Sequence, residues 1–125
     1  MTISGASQQF PHRMGQSHWV ELELRWNTSN ATLAFVAPAK SWILRRELAV
    51  HTAWDGSSPS FDLGSDEDNG LLINDAALDV AGGFAYGTII YVDDETAFFL
   101  YPTHGDGASE GDANILVEII QINTY

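Results

Sequence analysis

The sequence predicts an all-β protein, a single antiparallel β-sandwich of the jelly-roll type, and three observations lead to this prediction. About seven or eight short segments show the apolar-polar alternation, or the β-branched and aromatic content, of strands. Turn residues separate them at intervals of about 8–12 residues, which is typical of sandwiches. No stretch is a convincing helix. The short, regularly spaced strands favour two packed sheets.

The clearest strand is His18–Trp26, in which Val20, Leu22 and Leu24 share one face with Trp26. Two hairpins are expected, one closed by Asp55-Gly56 and the other by Asp93-Asp94-Glu95. The last strand carries apolar residues on both faces, which indicates a central strand or one that docks on a partner. Residues 74–80 fit either one helical turn or a loop. The further expected strands are Thr32–Ala37, Glu47–Trp54, Ser60–Gly64, Phe84–Val92, Thr96–Tyr101 and Asn114–Thr124.

A length of 125 residues supports one domain, and no linker divides the chain. The first 17 residues are polar and unpatterned, so we expect a flexible N-terminal arm at 1–17 and a sandwich at 18–125. The arm is either a disordered terminus or a segment that orders against a neighbouring subunit. In the second case Phe10 and Met14 are the expected anchors.

The charge excludes several partners. Five Lys and Arg residues stand against 17 Asp and Glu, which gives a formal charge of −12. Such a chain repels nucleic acid and anionic membranes. The N-terminus has no apolar segment of the signal-peptide type, and no apolar run reaches the ~18 residues of a membrane span. We therefore expect a protein that stays in the cytoplasm where it is made, or is released by lysis.

No catalytic or metal-binding pattern emerges from the residues. The chain has no cysteine, and its four histidines have no metal-ligand spacing. Gly107-Ala-Ser109-Glu-Gly111 has the form of a nucleophile elbow, but no histidine follows Ser109. Asp62, Asp66 and Asp68 are weak candidates for a calcium site, because the loop lacks the spacing of an EF-hand. We expect that the protein binds no cofactor and is not an enzyme.

The segment from Leu48 to Asp66, LAVHTAWDGSSPSFDLGSD, resembles a repeated segment of small tailed-phage and prophage structural proteins. Its form there is V-x-V-x-T-A-F-[DN]-G followed by x-L-x-V-G-T-D, and Trp54 stands where the family has Phe. These proteins are regarded as head decoration, or cement, proteins. The resemblance covers about half of the chain and carries no catalytic residues.

The resemblance implies a non-enzymatic virion protein that binds the outer surface of a phage head and reinforces it. Its partners would be the major capsid protein and further copies of itself, as a homotrimer assembled in the host cytoplasm. Three of the five positive charges lie close together and either pair with surface carboxylates or form a basic spot for a neighbour. The expected capsid or subunit contacts are Phe10, Met14, Trp19, Lys40, Arg45 and Arg46.

A second hypothesis remains open, a carbohydrate- or receptor-binding sandwich of a tail fibre or lectin-like protein. Its aromatic side chains would stack on sugars, and its acidic loops at 62–68 and 104–112 would bind calcium. The aromatic residues concerned are Trp19, Trp26, Trp42, Trp54, Phe84 and Tyr86.

Overall fold

A computed structural model describes residues 2–3, 17–103 and 107–121 of the chain. The described residues form ten β-strands and no helix, so none of them belongs to a helix that could cross a membrane. In chain order the strands are β1 (Thr2–Ile3), β2 (Ser17–Arg25), β3 (Thr32–Ala37), β4 (Ser41–Thr52), β5 (Ser60–Gly64), β6 (Ile73–Ala77), β7 (Gly82–Tyr86), β8 (Ile90–Val92), β9 (Thr96–Thr103) and β10 (Asp112–Gln121).

Two sheets contain all of these strands. The first sheet has the order β1-β2-β10-β4-β7, with β8 also paired to β4, and the second has the order β3-β9-β5-β6. The pairs are antiparallel except that β1 runs parallel to β2. From β2 onward the chain passes back and forth between the two sheets, as in a jelly roll. The predicted all-β antiparallel sandwich is confirmed.

The core lies between the sheets and follows from the alternation of each strand. In β2 the side chains of Val20, Leu22 and Leu24 are buried, whereas Glu21 and Glu23 are exposed. The second sheet contributes buried aromatic rings, including Phe35 and Phe98, whose centroids are 5.1 Å apart. Trp26, predicted to continue the buried face of β2, instead lies just beyond the strand and is 37% exposed.

Strand β10 occupies the centre of the first sheet, between β2 and β4. Ala113, Ile115, Val117 and Ile119 face the core and are fully buried. The intervening side chains lie on the opposite face and are half-buried by the flanking strands. Of the two alternatives, a central strand or one that docks on a partner, the structure shows the first.

Strand β4 contains a β-bulge that the sequence did not reveal. Its register against β10 steps from Val117↔Arg46 to Ile119↔Ile43, so β4 uses one residue more than β10 between these pairs. The extra residue reverses the alternation. Ile43 is therefore buried before the bulge, while Arg46 and Leu48 are buried after it.

Both predicted hairpins are wrong. The turn at residues 55–59 carries the chain from β4 in the first sheet to β5 in the second, where β5 pairs with β6 and β9. Residues 84–92 form two strands of the first sheet, and the turn at 93–95 then crosses to β9 in the second. The residues of a turn determine that the chain reverses direction, but they do not determine which sheet the next strand joins. In a sandwich, the opposite sheet is as close to the end of the turn as the adjacent edge of the same sheet. Of residues 74–80, left open between one helical turn and a loop, 74–77 belong to the strand β6.

The N-terminal arm falls almost wholly outside the described residues, and Phe10 and Met14 are among those not described. Within the predicted arm, Thr2 and Ile3 pair with Trp19 and Val20 of β2, and Ser17 is the first residue of β2.

A capped loop precedes β10. The carboxylate of Asp55 accepts hydrogen bonds from the hydroxyl of Ser109 and from the backbone N–H groups of Ser109 and Glu110, at 2.7 and 3.1 Å for the two amides. At the end of this loop Gly111 lies against the buried indole of Trp54, where an added Cβ would come within 2.3 Å of a ring atom. Asp55 therefore caps the loop next to a position that only glycine can occupy.

Candidate interaction surface

The outer face of the first sheet, turned away from the second sheet, carries a row of one half-buried aliphatic and two exposed aromatic side chains. Ile120, Trp42 and Tyr91 are neighbours across β10, β4 and β8, and we call them the aromatic row. The rings of Trp42 and Tyr91 are 4.8 Å apart and are 37% and 43% exposed. Large exposed aromatic groups are typical of surfaces that contact another protein.

Trp19 and Arg45, two of the expected contact residues, are brought together on this same face. The guanidinium of Arg45 lies 5.5 Å from the centroid of the Trp19 ring, within the range of a cation–π interaction. Arg45 also forms an ion pair with Glu47, and its side chain is 61% exposed. The arginine head is thus held in place while remaining accessible to a second molecule.

Arg46 has entirely different surroundings. It is 3% exposed, and its guanidinium donates to the carbonyl oxygens of Leu72 at 3.1 Å and Leu44 at 3.0 Å, and to that of Thr88. Burial lowers the pKa of Arg46 below its ordinary value. Of the two arginines, only Arg45 therefore offers an exposed guanidinium.

Lys40 lies at the end of the aromatic row. Its Nζ is 2.5 Å from Oδ1 of Asp93, and the same oxygen accepts a hydrogen bond from the hydroxyl of Tyr91 at 3.3 Å. The hydrogen bond with Lys40 lowers the pKa of Asp93, and the same bond raises the pKa of Lys40. Lys40 therefore pairs with a surface carboxylate next to an exposed ring.

A groove of about 650 Å³ opens on the outer face next to the edge strand β7. We call it the outer groove. Its floor is built of small or apolar residues, and its rim carries two carboxylates, an imidazole and an amide. Nε2 of His51 and Oδ1 of Asn114 are 2.7 Å apart on this rim. The floor residues are Ala49, Gly83, Ala85 and Leu116, and the rim residues are Glu21, Glu47, His51 and Asn114. Phe84 also lines the groove, but it pairs with core-facing Leu48, so its ring lies on the other face of β7.

The carboxylates considered for calcium do not form one site. Asp62 accepts the backbone N–H of Asp75 at 2.5 Å, and Asp68 accepts that of Gly70 at 3.2 Å. Asp66 instead lines a second groove, of about 560 Å³, together with Glu67 and residues 93–95. Within residues 2–3, 17–103 and 107–121, no three His, Cys, Asp or Glu side chains are grouped so that they could hold a metal ion.

The aromatic residues considered for sugar stacking are distributed over several surroundings. Trp54 is buried in the core, and Trp19 is engaged by Arg45. Trp42 belongs to the aromatic row, whereas Phe84 is 40% exposed and shares the face of Leu48 at the edge strand β7. The six residues therefore do not make one stacking face.

Sequence reasoning missed Tyr91, Ile120 and the outer groove as parts of a surface. One signal was available, since Leu116 and Ile120 are apolar residues on the face of β10 opposite to its core residues. The groove depends on which strands become neighbours, and this is fixed by the pairing of β7 with β4.

By its structure the protein belongs to the class of two-sheet, jelly-roll-like β-sandwich domains, and the outer face of its first sheet carries carboxylates and exposed aromatic groups. No protein-family model and no curated protein matches the sequence.

Three phage capsid structures contain chains with this fold. A chain in the acidic stable capsid structure of Helicobacter pylori bacteriophage KHP30 gives a TM-score of 0.69 at 10% identity, over 86% of this chain and 90% of the other. A chain in the capsid of Ralstonia phage GP4 gives 0.67 at 13% identity, over 99% and 100% of the two chains. A chain in the cyanophage Pam1 capsid asymmetric unit gives 0.63 at 14% identity, over 93% and 94%. The likeness establishes the shared fold and transfers no residue role.

Proposed function

We propose that this protein is a non-enzymatic component of a phage virion, a decoration protein that binds the outer surface of the head and stabilises it. The observation that carries the proposal is that this chain matches chains of three phage capsids over 86%, 99% and 93% of its own length. The matches cover 90%, 100% and 94% of those three chains.

The surface proposed to meet the major capsid protein is the part of the outer face formed by the aromatic row, Trp19, Arg45 and Lys40. Buried aromatic and arginine side chains supply most of the binding energy in many protein interfaces. The remaining surface is strongly acidic, with a formal charge of −12 for the chain, and this charge keeps decorated particles apart in solution.

Assembly as a homotrimer, in the host cytoplasm and onto the head, belongs to the same proposal. Phe10 and Met14 are proposed as arm contacts to a neighbouring subunit. Neither nucleic acid nor membrane is a proposed partner, because the net charge opposes binding to both.

The test uses heads that lack this protein and purified protein added back to them. Trp42→Ala with Tyr91→Ala should weaken head binding about tenfold or more, because each truncation of a central aromatic contact costs ~1–2 kcal/mol. The matched control is Leu33→Ala with Val80→Ala, which also removes two exposed apolar side chains, 50% and 59% exposed, but outside the aromatic row. Binding is measured by co-sedimentation, and head stability by the temperature at which DNA is released.

Equal binding by the two double variants would remove the aromatic row from the contact. Wild-type protein that does not bind heads at all, at any ratio, would contradict the decoration function itself.

The exposed rings of Trp26, Trp42 and Phe84 support one second candidate, a sugar- or receptor-binding module. A glycan array is its direct test, performed with and without EDTA because calcium was considered for the acidic loops. Sugar-specific binding that EDTA weakens would support it, and an array without binding would count against it.

A further inference from the structure

The outer groove exists because small residues stand at three neighbouring positions of β4 and β7. Glu47 pairs with Ala85, and Ala49 pairs with Gly83, so the edge strand carries only a methyl group or a hydrogen at these positions. A Cβ added to Gly83 would meet no atom within 4 Å. The groove is therefore open toward the free edge of the first sheet, where an extended chain can lie.

The groove combines an apolar floor with negative charge. Leu116 in the central strand pairs with Glu21 on one side and with Glu47 on the other. Glu47 already has Arg45 as its ion partner, but none of the lysine and arginine residues in the described part of the chain pairs with Glu21. An incoming cation therefore finds one carboxylate to which the described residues supply no counter-ion, and a second one close to the same floor.

Lysine and arginine side chains fit such a groove. Their aliphatic stems pack on apolar surface while the charged head reaches a carboxylate. Leu116 offers the apolar surface and Glu21 the carboxylate.

A second copy of the chain is a poor source of these cations. The sequence has five Lys and Arg residues, of which four are described. Three are paired with carboxylates and Arg46 is buried. The fifth, Arg13, lies outside the described residues. Charge complementarity therefore favours a different protein.

We propose that the outer groove binds an extended segment of the major capsid protein that presents lysine or arginine side chains. This inference rests on the proposed function and names the chemistry of its partner.

The test measures binding of an acetylated and amidated hexa-arginine peptide by calorimetry, and locates it by backbone amide shifts in NMR spectra. Binding to the wild-type protein should shift the amides of Ala49, Ala85 and Leu116. Glu21→Gln with Glu47→Gln should weaken the affinity about three- to tenfold, as expected for two partly exposed charge pairs. Ala85→Leu, which fills the groove without changing charge, should weaken it as well.

The matched control is Asp66→Asn with Glu67→Gln, which removes the same charge from the other groove. It should change the affinity less than twofold. Equal loss with both charge variants, shifts confined to residues 65–67 and 93–95, or a glycan that occupies the groove in place of the peptide would each overturn the inference.

Head binding separates this inference from the proposed function. If wild-type protein, Glu21→Gln with Glu47→Gln, and Ala85→Leu all bind heads equally well, the groove inference fails and the decoration function stands. If wild-type protein fails to bind heads, the decoration function fails and the major capsid protein is not the partner. Weaker head binding by both groove variants, with normal binding by the control, supports both.

Discussion

Arg45 and Arg46 show how one extra residue in a strand gives two adjacent arginines opposite surroundings. The β-bulge turns Arg45 toward Trp19 on the outer face and Arg46 toward the carbonyl groups of Leu72 and Thr88. Arg46 thereby joins β4 to two loops of the chain. Since burial removes a guanidinium from water, these carbonyl groups must replace the lost hydration.

Arg46→Ala should lower the free energy of unfolding by ~2–4 kcal/mol, because it leaves buried carbonyl oxygens without donors and opens a cavity. Arg45→Ala should cost less than ~1 kcal/mol, because its cation–π contact and ion pair are exposed. Urea denaturation of the two variants measures both values. A similar cost for the two substitutions would mean that the carbonyl contacts of Arg46 do not stabilise the fold.

At the scale of elements, the crossover from β4 to β5 is coupled to the loop before β10 through Asp55. Hydrogen bonds from the hydroxyl of Ser109, its N–H and that of Glu110 lower the pKa of Asp55 from 3.8 to about 2. Only the carboxylate form accepts all of these hydrogen bonds. The folded state therefore favours ionised Asp55 more than the unfolded state does.

The sign of the pH dependence follows from this difference. The contribution of Asp55 to stability is fully present above the unfolded pKa of 3.8 and is lost as the pH falls toward about 2. Asp55→Asn should therefore lower the melting temperature at pH 6. The difference in melting temperature between the variant and the wild type should shrink between about pH 4 and about pH 2, because the unfolded and folded pKa values of Asp55 bound this range. Scanning calorimetry of both proteins measures the gap.

Using the difference between the two proteins cancels the effect of the groups that they share. Asp79→Asn, which removes one carboxylate at an exposed position without hydrogen bonds to Ser109 or Glu110, serves as the control. A gap of constant size from pH 6 to pH 2 would mean that the hydrogen bonds to Asp55 do not depend on its charge.

The same elements show what alternation can and cannot predict. The buried faces of β2 and β10 followed from period-two patterns, because each of these strands has one face in the core. Arg46, Leu48 and Val50 alternate with less buried residues in β4, and all three are buried on one face. The expectation that Arg46 joins Arg45 at the surface came from their adjacency in sequence and from their charge.

Pairing between strands was beyond prediction because it is not local. The turns at 55–59 and 93–95 have the residues of hairpin turns, yet each leads to the opposite sheet. The bulge in β4 and the placement of β7 beside β4 likewise depend on contacts between residues far apart in the chain. For this reason the outer groove and the neighbourhood of Trp42 and Tyr91 emerged only from the structure.

At the scale of the whole molecule, charge is the dominant physical feature. The 17 acidic residues exceed the five basic ones by twelve charges, and the described cations are paired or buried. Folding brings the unpaired carboxylates closer together than they are in the unfolded chain. Their mutual repulsion therefore opposes the folded state, and salt weakens it.

We expect the melting temperature at pH 7 to rise by several degrees as sodium chloride increases from ~0.02 M to ~0.5 M, because the screening length falls below ~5 Å over this range. The three exposed ion pairs act in the opposite direction, but each is worth little.

The matched comparison is a variant with four fewer charges at the second groove, Asp66→Asn, Glu67→Gln, Asp94→Asn and Glu95→Gln. Its melting temperature should be higher at low salt and should rise less with added salt. A melting temperature that falls with salt in the wild-type protein would mean that the surface ion pairs, including Lys40 with Asp93, outweigh the repulsion. An equal rise in both proteins would instead point to a general effect of salt on apolar burial rather than to charge.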